Sequence, residues 1–165
     1  MLDFGCGKNP KVGFDGVDCI DFGQKYIVDL RKRWPWDNDS VTDVHASHFL
    51  EHLTNSERVH FYNELYRVLK PGAKASIIVP HWSSGRAYGD PTHQWPPVVE
   101  FSFYYLDKPW REQNAPHCGL TCDFLATWGY SVHPAWQAKN PETQMFALNH
   151  YREVAQDLMA TLVKR

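Results

Sequence analysis

The sequence predicts an α/β domain with parallel strands. Short apolar runs of about five residues alternate with turn residues through the first half of the chain, which is typical of buried strands. A capped amphipathic helix lies between the last two runs, and strand, helix and strand in that order form a right-handed parallel crossover. The 165 residues are enough for a single domain, 1–165.

Composition narrows the class of protein. Hydrophobic residues make up 43% and charged residues 22% of the chain, which is typical of a globular protein and excludes a disordered one. Seventeen basic and nineteen acidic side chains give a net charge of −2, which argues against a nucleic-acid partner. No apolar run has the roughly 18 residues of a membrane span, and no basic-then-apolar leader begins the sequence. We therefore expect a cytoplasmic protein without a membrane partner.

The predicted strands leave little room for helices near the N-terminus. They cover residues 1–3, 14–18, 26–30, 42–46 and 75–79. A crossover helix needs about a dozen residues, so the N-terminal helices are expected to be shortened or missing and one sheet face to be thinly covered. A helix predicted over 150–165, or a second copy in a homodimer, would cover that face.

The best-defined helix begins at Thr54. Thr54 and Glu57 form a capping box, apolar residues recur on one face, and Lys70-Pro71-Gly72 ends the helix.

The second half of the chain begins with a segment of little periodicity. Residues 81–117 are rich in Pro and aromatic residues, and loops of this length are usually functional. We expect this segment, called the lid below, to face a substrate. A helix over 120–128 and strands over 130–137 and 144–149 are predicted to follow it.

Three strand ends carry residues suited to a nucleotide-like ligand. Gly5 and Gly7 follow the first strand, and glycine allows a ligand to lie against main-chain N–H groups. Asp18 ends the second strand, where a carboxylate can accept hydrogen bonds from ribose hydroxyls. Asp29 and Leu30 end the third, where they can flank an adenine ring. The alternative is that these are ordinary turn and cap residues.

The chain resembles class I S-adenosylmethionine-dependent methyltransferases of the small type-11-like group over roughly residues 2–80. The matching stretches are Leu2-Asp3-Phe4-Gly5-Cys6-Gly7, Gly16-Val17-Asp18, Val28-Asp29-Leu30, His48-Phe49-Leu50-Glu51-His52-Leu53, Arg67-Val68-Leu69-Lys70-Pro71-Gly72 and Val79-Pro80.

The resemblance implies a Rossmann-like three-layer sandwich with a mostly parallel seven-stranded sheet and one antiparallel strand. The implied cofactor is S-adenosyl-L-methionine. Its methionine part would be lined by Asp3, Gly5 and Gly7, its ribose held by Asp18, its adenine contacted by Asp29 and Leu30, and its sulfonium bordered by Ala46, Ser47 and His48. The usual third glycine of the loop is replaced around Lys8-Asn9.

The implied reaction moves a methyl group to an O, N or C nucleophile of a small-molecule or sugar-like acceptor. The protein mainly aligns the acceptor and can remove its proton. A histidine suits that role near neutral pH, and the candidates are His81, after the fifth strand, and His93, in the lid. The alternative for His93 is that it braces the lid.

Histidine and cysteine spacings leave other possibilities open. His48, Glu51 and His52 resemble a metal pair, and His117, Cys118 and Cys122 offer soft ligands, but a structural zinc site needs a fourth ligand. We assign no metal at this stage. The alternative functions are a catalytically silent module that binds S-adenosylmethionine or S-adenosylhomocysteine, and a histidine-based metal-dependent hydrolase.

Overall fold

A computed structural model describes residues 1–165 and contains a single seven-stranded sheet. The strands are β1 Leu2–Phe4, β2 Asp15–Asp18, β3 Tyr26–Ile27, β4 Val41–Ser47, β5 Leu69–Pro80, β6 Phe124–Val132 and β7 Ala155–Lys164. The α-helices are α1 Asn55–Val68, α2 Arg86–Gly89, α3 Lys108–Asn114, α4 Pro134–Gln137 and α5 Pro141–His150, with short 3-10 helices at Leu50–His52 and Glu100–Leu106.

The strand order is β3-β2-β1-β4-β5-β7-β6. Strands β1 to β5 run parallel, and β7 is antiparallel to both of its neighbours, β5 and β6. This confirms the predicted sheet with one antiparallel strand. Because the order reverses at β1, the carboxyl ends of β1 and β4 flank the kind of crevice in which open α/β sheets bind ligands.

Helix α1 covers one face of the sheet. The predicted capping box is present: the Thr54 hydroxyl accepts from the Glu57 backbone N–H, and the Glu57 carboxylate accepts from the Thr54 N–H at 2.8 Å. Phe61 of α1 packs edge-on against Trp34 with ring centroids 5.3 Å apart, and Trp34 packs against Phe4 of β1 at 4.7 Å. These fully buried rings fix the helix over the centre of the sheet.

The opposite face has no helix over it in the N-terminal half. Residues 5–14, 19–25 and 28–40 connect the first four strands without a helix, which confirms that the N-terminal helices are shortened or missing. At the other end of this face Leu125 and Met159 are exposed by 50% and 40%. The helix predicted over 150–165 does not cover this face, because most of that segment is β7.

Three elements of the second half differ from the predictions. Residues 120–128 form a loop and the start of β6 rather than a helix, and residues 144–149 lie in α5 rather than in a strand. Of the strand predicted over 130–137, only residues 130–132 are a strand, because β6 ends at Val132 and α4 begins at Pro134. In β7 the buried Leu158, Ala160 and Leu162 alternate with more exposed residues. A spacing of four, such as 158 to 162, fits both a strand and a helix, which explains why a helix was predicted over 150–165.

The lid packs onto the domain rather than extending from it. It contains α2, the second 3-10 helix and α3, and Phe103 and Leu106 are each 1% exposed. The buried guanidinium of Arg58 on α1 donates to the carbonyls of Pro96 at 2.6 Å and Gln94 at 3.1 Å. No helix combines the length and the apolar character that crossing a membrane requires.

Candidate functional site

A cavity of about 180 Å³ lies at the carboxyl ends of the first three strands. Four of the predicted cofactor residues line it: Gly5, Asp18, Asp29 and Leu30. The opposite wall comes from the segment after β4. The complete lining is Gly5, Asp18, Cys19, Val28, Asp29, Leu30, Arg31, Phe49, His52 and Leu53.

Gly5 is required by the shape of this cavity. Its φ is +65°, and a Cβ at this position would lie 2.5 Å from Cδ2 of Phe49, a separation that real side chains do not tolerate. The backbone of the loop therefore approaches the aromatic wall as closely as only glycine allows. Gly7 also has a positive φ, +54°, but a Cβ there would meet nothing within 4 Å.

Asp18 holds the loops around the cavity in place. One carboxylate oxygen accepts from the Gly7 N–H and the other from the Ile20 N–H, both at 3.0 Å. An ionised carboxylate offers about four lone-pair positions. Asp18 can therefore keep both backbone contacts and still accept hydrogen bonds from ligand hydroxyls.

Asp29 is paired within the protein. Its carboxylate accepts from the Arg31 Nε at 2.8 Å and Nη2 at 3.1 Å, and the hydrogen bonds from Arg31 hold the pKa of Asp29 below its usual range. The adjacent Leu30 is 3% exposed, and its carbonyl accepts from the Trp34 indole Nε1 at 3.0 Å. The cavity wall at this end is thus anchored to the core.

A second cavity, of about 570 Å³, lies next to the first. Six of its nine lining residues carry polar or charged side chains, and the other three are Pro or Gly: His48, Glu51, His52, Pro80, Arg86, Gly89, Asp90, Pro91 and His93. His52 lines both cavities, so the two spaces share a wall. Several of the lining residues belong to the lid, which therefore faces this cavity.

The polar cavity concentrates titratable side chains. His48, with a φ of +55°, has its Nδ1 3.2 Å from Oε1 of Glu51. This hydrogen bond raises the pKa of His48 above its usual value. Glu51, His52 and His93 each offer one atom that could bind a metal ion, and these three atoms lie within 4.8 Å of one another.

Other predicted residues lie outside these two cavities. Asp3 accepts from the Lys11 N–H at 2.7 Å. Gly7 contacts Asp18, Ala46 is fully buried in the core, and Ser47 ends β4. None of these four lines either cavity.

The two predicted general bases are separated. His93 lines the polar cavity, whereas His81 lines a different cavity of about 250 Å³. The Nδ1 of His81 accepts from the Ser83 N–H at 3.2 Å, and its Nε2 lies 2.9 Å from Glu100. Burial alone would raise the pKa of Glu100, but the hydrogen bonds that its carboxylate accepts and the charge of His81 together outweigh burial, and the pKa is lowered. Both ring nitrogens of His81 are thus engaged within the protein.

Phe49 and Leu53 are wall residues that the sequence did not assign to the site. Both belong to the His48–Leu53 stretch, of which only His48 was predicted to border the cofactor. The two residues flank the 3-10 helix Leu50–His52, which is too short to give a clear periodic signal.

Comparisons with known proteins agree with this architecture. No protein-family model matches the sequence, and the search of curated proteins found no match. Among solved structures, a methyltransferase from Archaeoglobus fulgidus described as SAM-dependent is similar over 99% of this chain and 85% of its own, with a TM-score of 0.70 and 20% identity.

Two further solved structures are similar over 99% of this chain. A putative S-adenosylmethionine-dependent methyltransferase from Listeria monocytogenes matches over 89% of its own chain with a TM-score of 0.56 and 15% identity. A geranyl diphosphate C-methyltransferase from Streptomyces coelicolor, solved with S-adenosyl-L-homocysteine, matches over 69% of its own chain with a TM-score of 0.53 and 15% identity. The strand order and these similarities together show that the chain has the class I S-adenosylmethionine-dependent methyltransferase fold.

Proposed function

We propose that the chain is a methyltransferase of class EC 2.1.1 that binds S-adenosyl-L-methionine in the smaller cavity. The observation that carries the proposal is the meeting of Gly5, Asp18 and Leu30 around one space at the carboxyl edge of the sheet. When bound, the cofactor supplies a methyl group on a positively charged sulfur. Asp18 would accept from its ribose hydroxyls, Leu30 would contact the adenine, and the bare backbone at Gly5 would allow close approach.

The groups that line the smaller cavity fit this ligand. Asp18 lines a cavity that also has apolar walls and has lone pairs left to accept from a ribose next to an adenine. Asp29, paired with Arg31, would border the adenine as part of a fixed wall. The predicted contacts of the methionine part with Asp3 and Gly7, and of the sulfonium with Ala46, Ser47 and His48, stay predictions.

The acceptor would occupy the polar cavity under the lid. A space lined by histidines, carboxylates and Arg86 suits a small molecule with several polar groups, such as a sugar-like compound. Because His52 lines both cavities, an acceptor in the polar cavity would lie next to the cofactor. In the transfer the nucleophile forms a bond to that carbon, the bond to sulfur breaks, and the acceptor loses a proton. His93 is the predicted base that faces this cavity.

Calorimetry with S-adenosylmethionine tests the cofactor assignment. Asp18→Ala should weaken binding by about 1.5–3 kcal/mol, the usual value for hydrogen bonds to a charged group. Asp21→Ala is the matched control, because Asp21 also accepts from a backbone N–H, that of Gly23 at 2.9 Å, but does not line the cavity. If folded Asp18→Ala binds as tightly as the parent, the ribose is not held there.

Turnover is tested separately with labelled cofactor and a pool of polar metabolites. Tight binding without any labelled product would favour the catalytically silent module. The fold comparisons give the hydrolase alternative no support.

A homodimer through the thinly covered sheet face is also part of the proposal, and sedimentation equilibrium would measure it.

A further inference from the structure

Three potential metal ligands converge at the wall between the two cavities. Glu51 and His52 belong to the 3-10 helix after β4, and His93 comes from the lid. One ligand atom from each lies within 4.8 Å of the others, and the rings of His52 and His93 are 4.8 Å apart between centroids. The sequence offered only His48, Glu51 and His52, because the lid residue His93 lies 41 positions after His52 along the chain.

Glu51 has an unsatisfied oxygen in this cluster. Its side chain is only 5% exposed, its Oε1 is engaged by His48, and its Oε2 is buried without a hydrogen-bond partner. Buried carboxylate oxygens without a partner are rare, and an ion is one of the partners that accounts for them. Glu51 lines the same cavity as His52 and His93.

The two imidazoles are held in the state that a metal requires. The Thr92 hydroxyl donates to Asp90 at 2.7 Å, so its oxygen accepts from Nδ1 of His52 at 2.9 Å. The Ala87 carbonyl can only accept, so Nδ1 of His93, 3.1 Å away, is its donor. In the neutral rings both Nε2 atoms therefore carry a lone pair, and contacts of this kind orient metal-binding histidines in proteins.

We propose that Glu51, His52 and His93 form a binding site for one Zn²⁺ ion. Two imidazole nitrogens with one carboxylate oxygen are a known set of three zinc ligands that leaves a coordination position open. Magnesium prefers oxygen ligands throughout. Tetrahedral ligands at zinc are about 3.4 Å apart, so the cluster needs only a modest contraction to close on the ion.

The surrounding charges are compatible with a cation. Asp90 supports His52 through Thr92 and adds a negative charge outside the ligands. Arg86 also lines the cavity, but its guanidinium is paired with Asp157 at 3.0 Å. Because Glu51, His52 and His93 all line the polar cavity, a fourth ligand of the ion would come from that cavity. There the ion could bind an oxygen of the acceptor and lower the pKa of an acceptor hydroxyl. This role rests on the proposed methyl transfer. In it, His93 would bind the ion instead of acting as the base.

Zinc titration of the chelator-treated full chain, without cofactor, tests the site. Calorimetry is expected to show one Zn²⁺ per chain, with Mg²⁺ binding much more weakly. Glu51→Gln and His93→Ala should each weaken Zn²⁺ binding at least tenfold. Thr92→Val, which removes no ligand but takes away the support of His52 and the hydrogen bond to Asp90, should weaken it about 10–100-fold. Because no S-adenosylmethionine is present, the result is independent of the proposed transferase activity.

His117→Ala is the matched control, since this exposed imidazole lies beside Cys118 and outside the cluster. It should bind zinc like the parent. Failure of the parent to bind zinc, or unchanged binding by folded Glu51→Gln and His93→Ala, would overturn the proposal. Loss of binding in His117→Ala alone would overturn it too, by placing the ion at the cysteines. Glu51→Gln is nearly isosteric, so it decides the question if His93→Ala fails to fold.

Discussion

The contact between Gly5 and Phe49 allows a quantitative test of the glycine loop. A Cβ at Gly5 would lie 2.5, 2.8 and 2.9 Å from Cδ2, Cγ and Cβ of Phe49. Rotating the ring does not move the Phe49 Cβ, so the backbone must shift as well. We expect Gly5→Ala to cost about 1–2 kcal/mol for the left-handed conformation and about 1–3 kcal/mol more for the steric overlap.

Gly7→Ala separates these two contributions. Gly7 has a similar positive φ, +54° against +65° for Gly5, but open space where its Cβ would be. Both substitutions also reduce the entropy of the unfolded chain by a similar amount. The difference between the two variants in free energy of unfolding, measured by urea denaturation, should therefore be about 2 kcal/mol and report the Phe49 contact alone.

A double-mutant cycle completes the test. Phe49→Ala removes two of the three short contacts, so Gly5→Ala should cost at least about 1 kcal/mol less in that background. Equal costs for Gly5→Ala and Gly7→Ala, or no coupling between Gly5 and Phe49, would show that the loop does not press against this wall.

Three further predictions concern helix α1. Arg58→Ala leaves the carbonyls of Gln94 and Pro96 without their donor. The substitution should lower the free energy of unfolding by about 2–4 kcal/mol and speed amide hydrogen exchange across the lid. Unchanged exchange would show that Arg58 does not anchor the lid. Thr54→Ala should cost about 1 kcal/mol in thermal or urea unfolding. Hydrogen bonds from Thr54 lower the pKa of Glu57. The loss of stability caused by Glu57→Ala should therefore be largest above about pH 4.3 and fade as the pH falls through the lower pKa of the folded state. A loss of stability that does not change with pH would exclude this charge effect.

The fold was predictable where local signals and long-range packing agree. The capping box at Thr54 and the carboxylate of Asp18 at the end of β2 each have a local physical cause, and the resemblance supplied the seven strands and their mostly parallel directions. In β7 the apolar residues are spaced at four, which suits both a helix and a strand. Only pairing with β5 and β6 decides between them. In α5 the Asn140-Pro141 pair was the missed signal, since Asn140 caps the helix by accepting from Thr143.

The site was predictable in part for a similar reason. Residues at strand ends meet because parallel strands finish at one edge, which sequence order reveals. The approach of His93 to His52 depends on how the lid folds back, and Arg58 and Gln94 fix that path from within the packed structure. No local pattern in the lid encodes it.

The position of β7 has a consequence for synthesis of the protein. Strand β7 follows β6 along the chain but lies between β5 and β6. While the ribosome is still adding residues 155–164, β6 has no neighbour and the backbone edge of β5 is open. Such unpaired edges invite association with other nascent chains. Closure of the sheet must therefore wait for its last strand, and slow translation of this region would prolong the vulnerable interval.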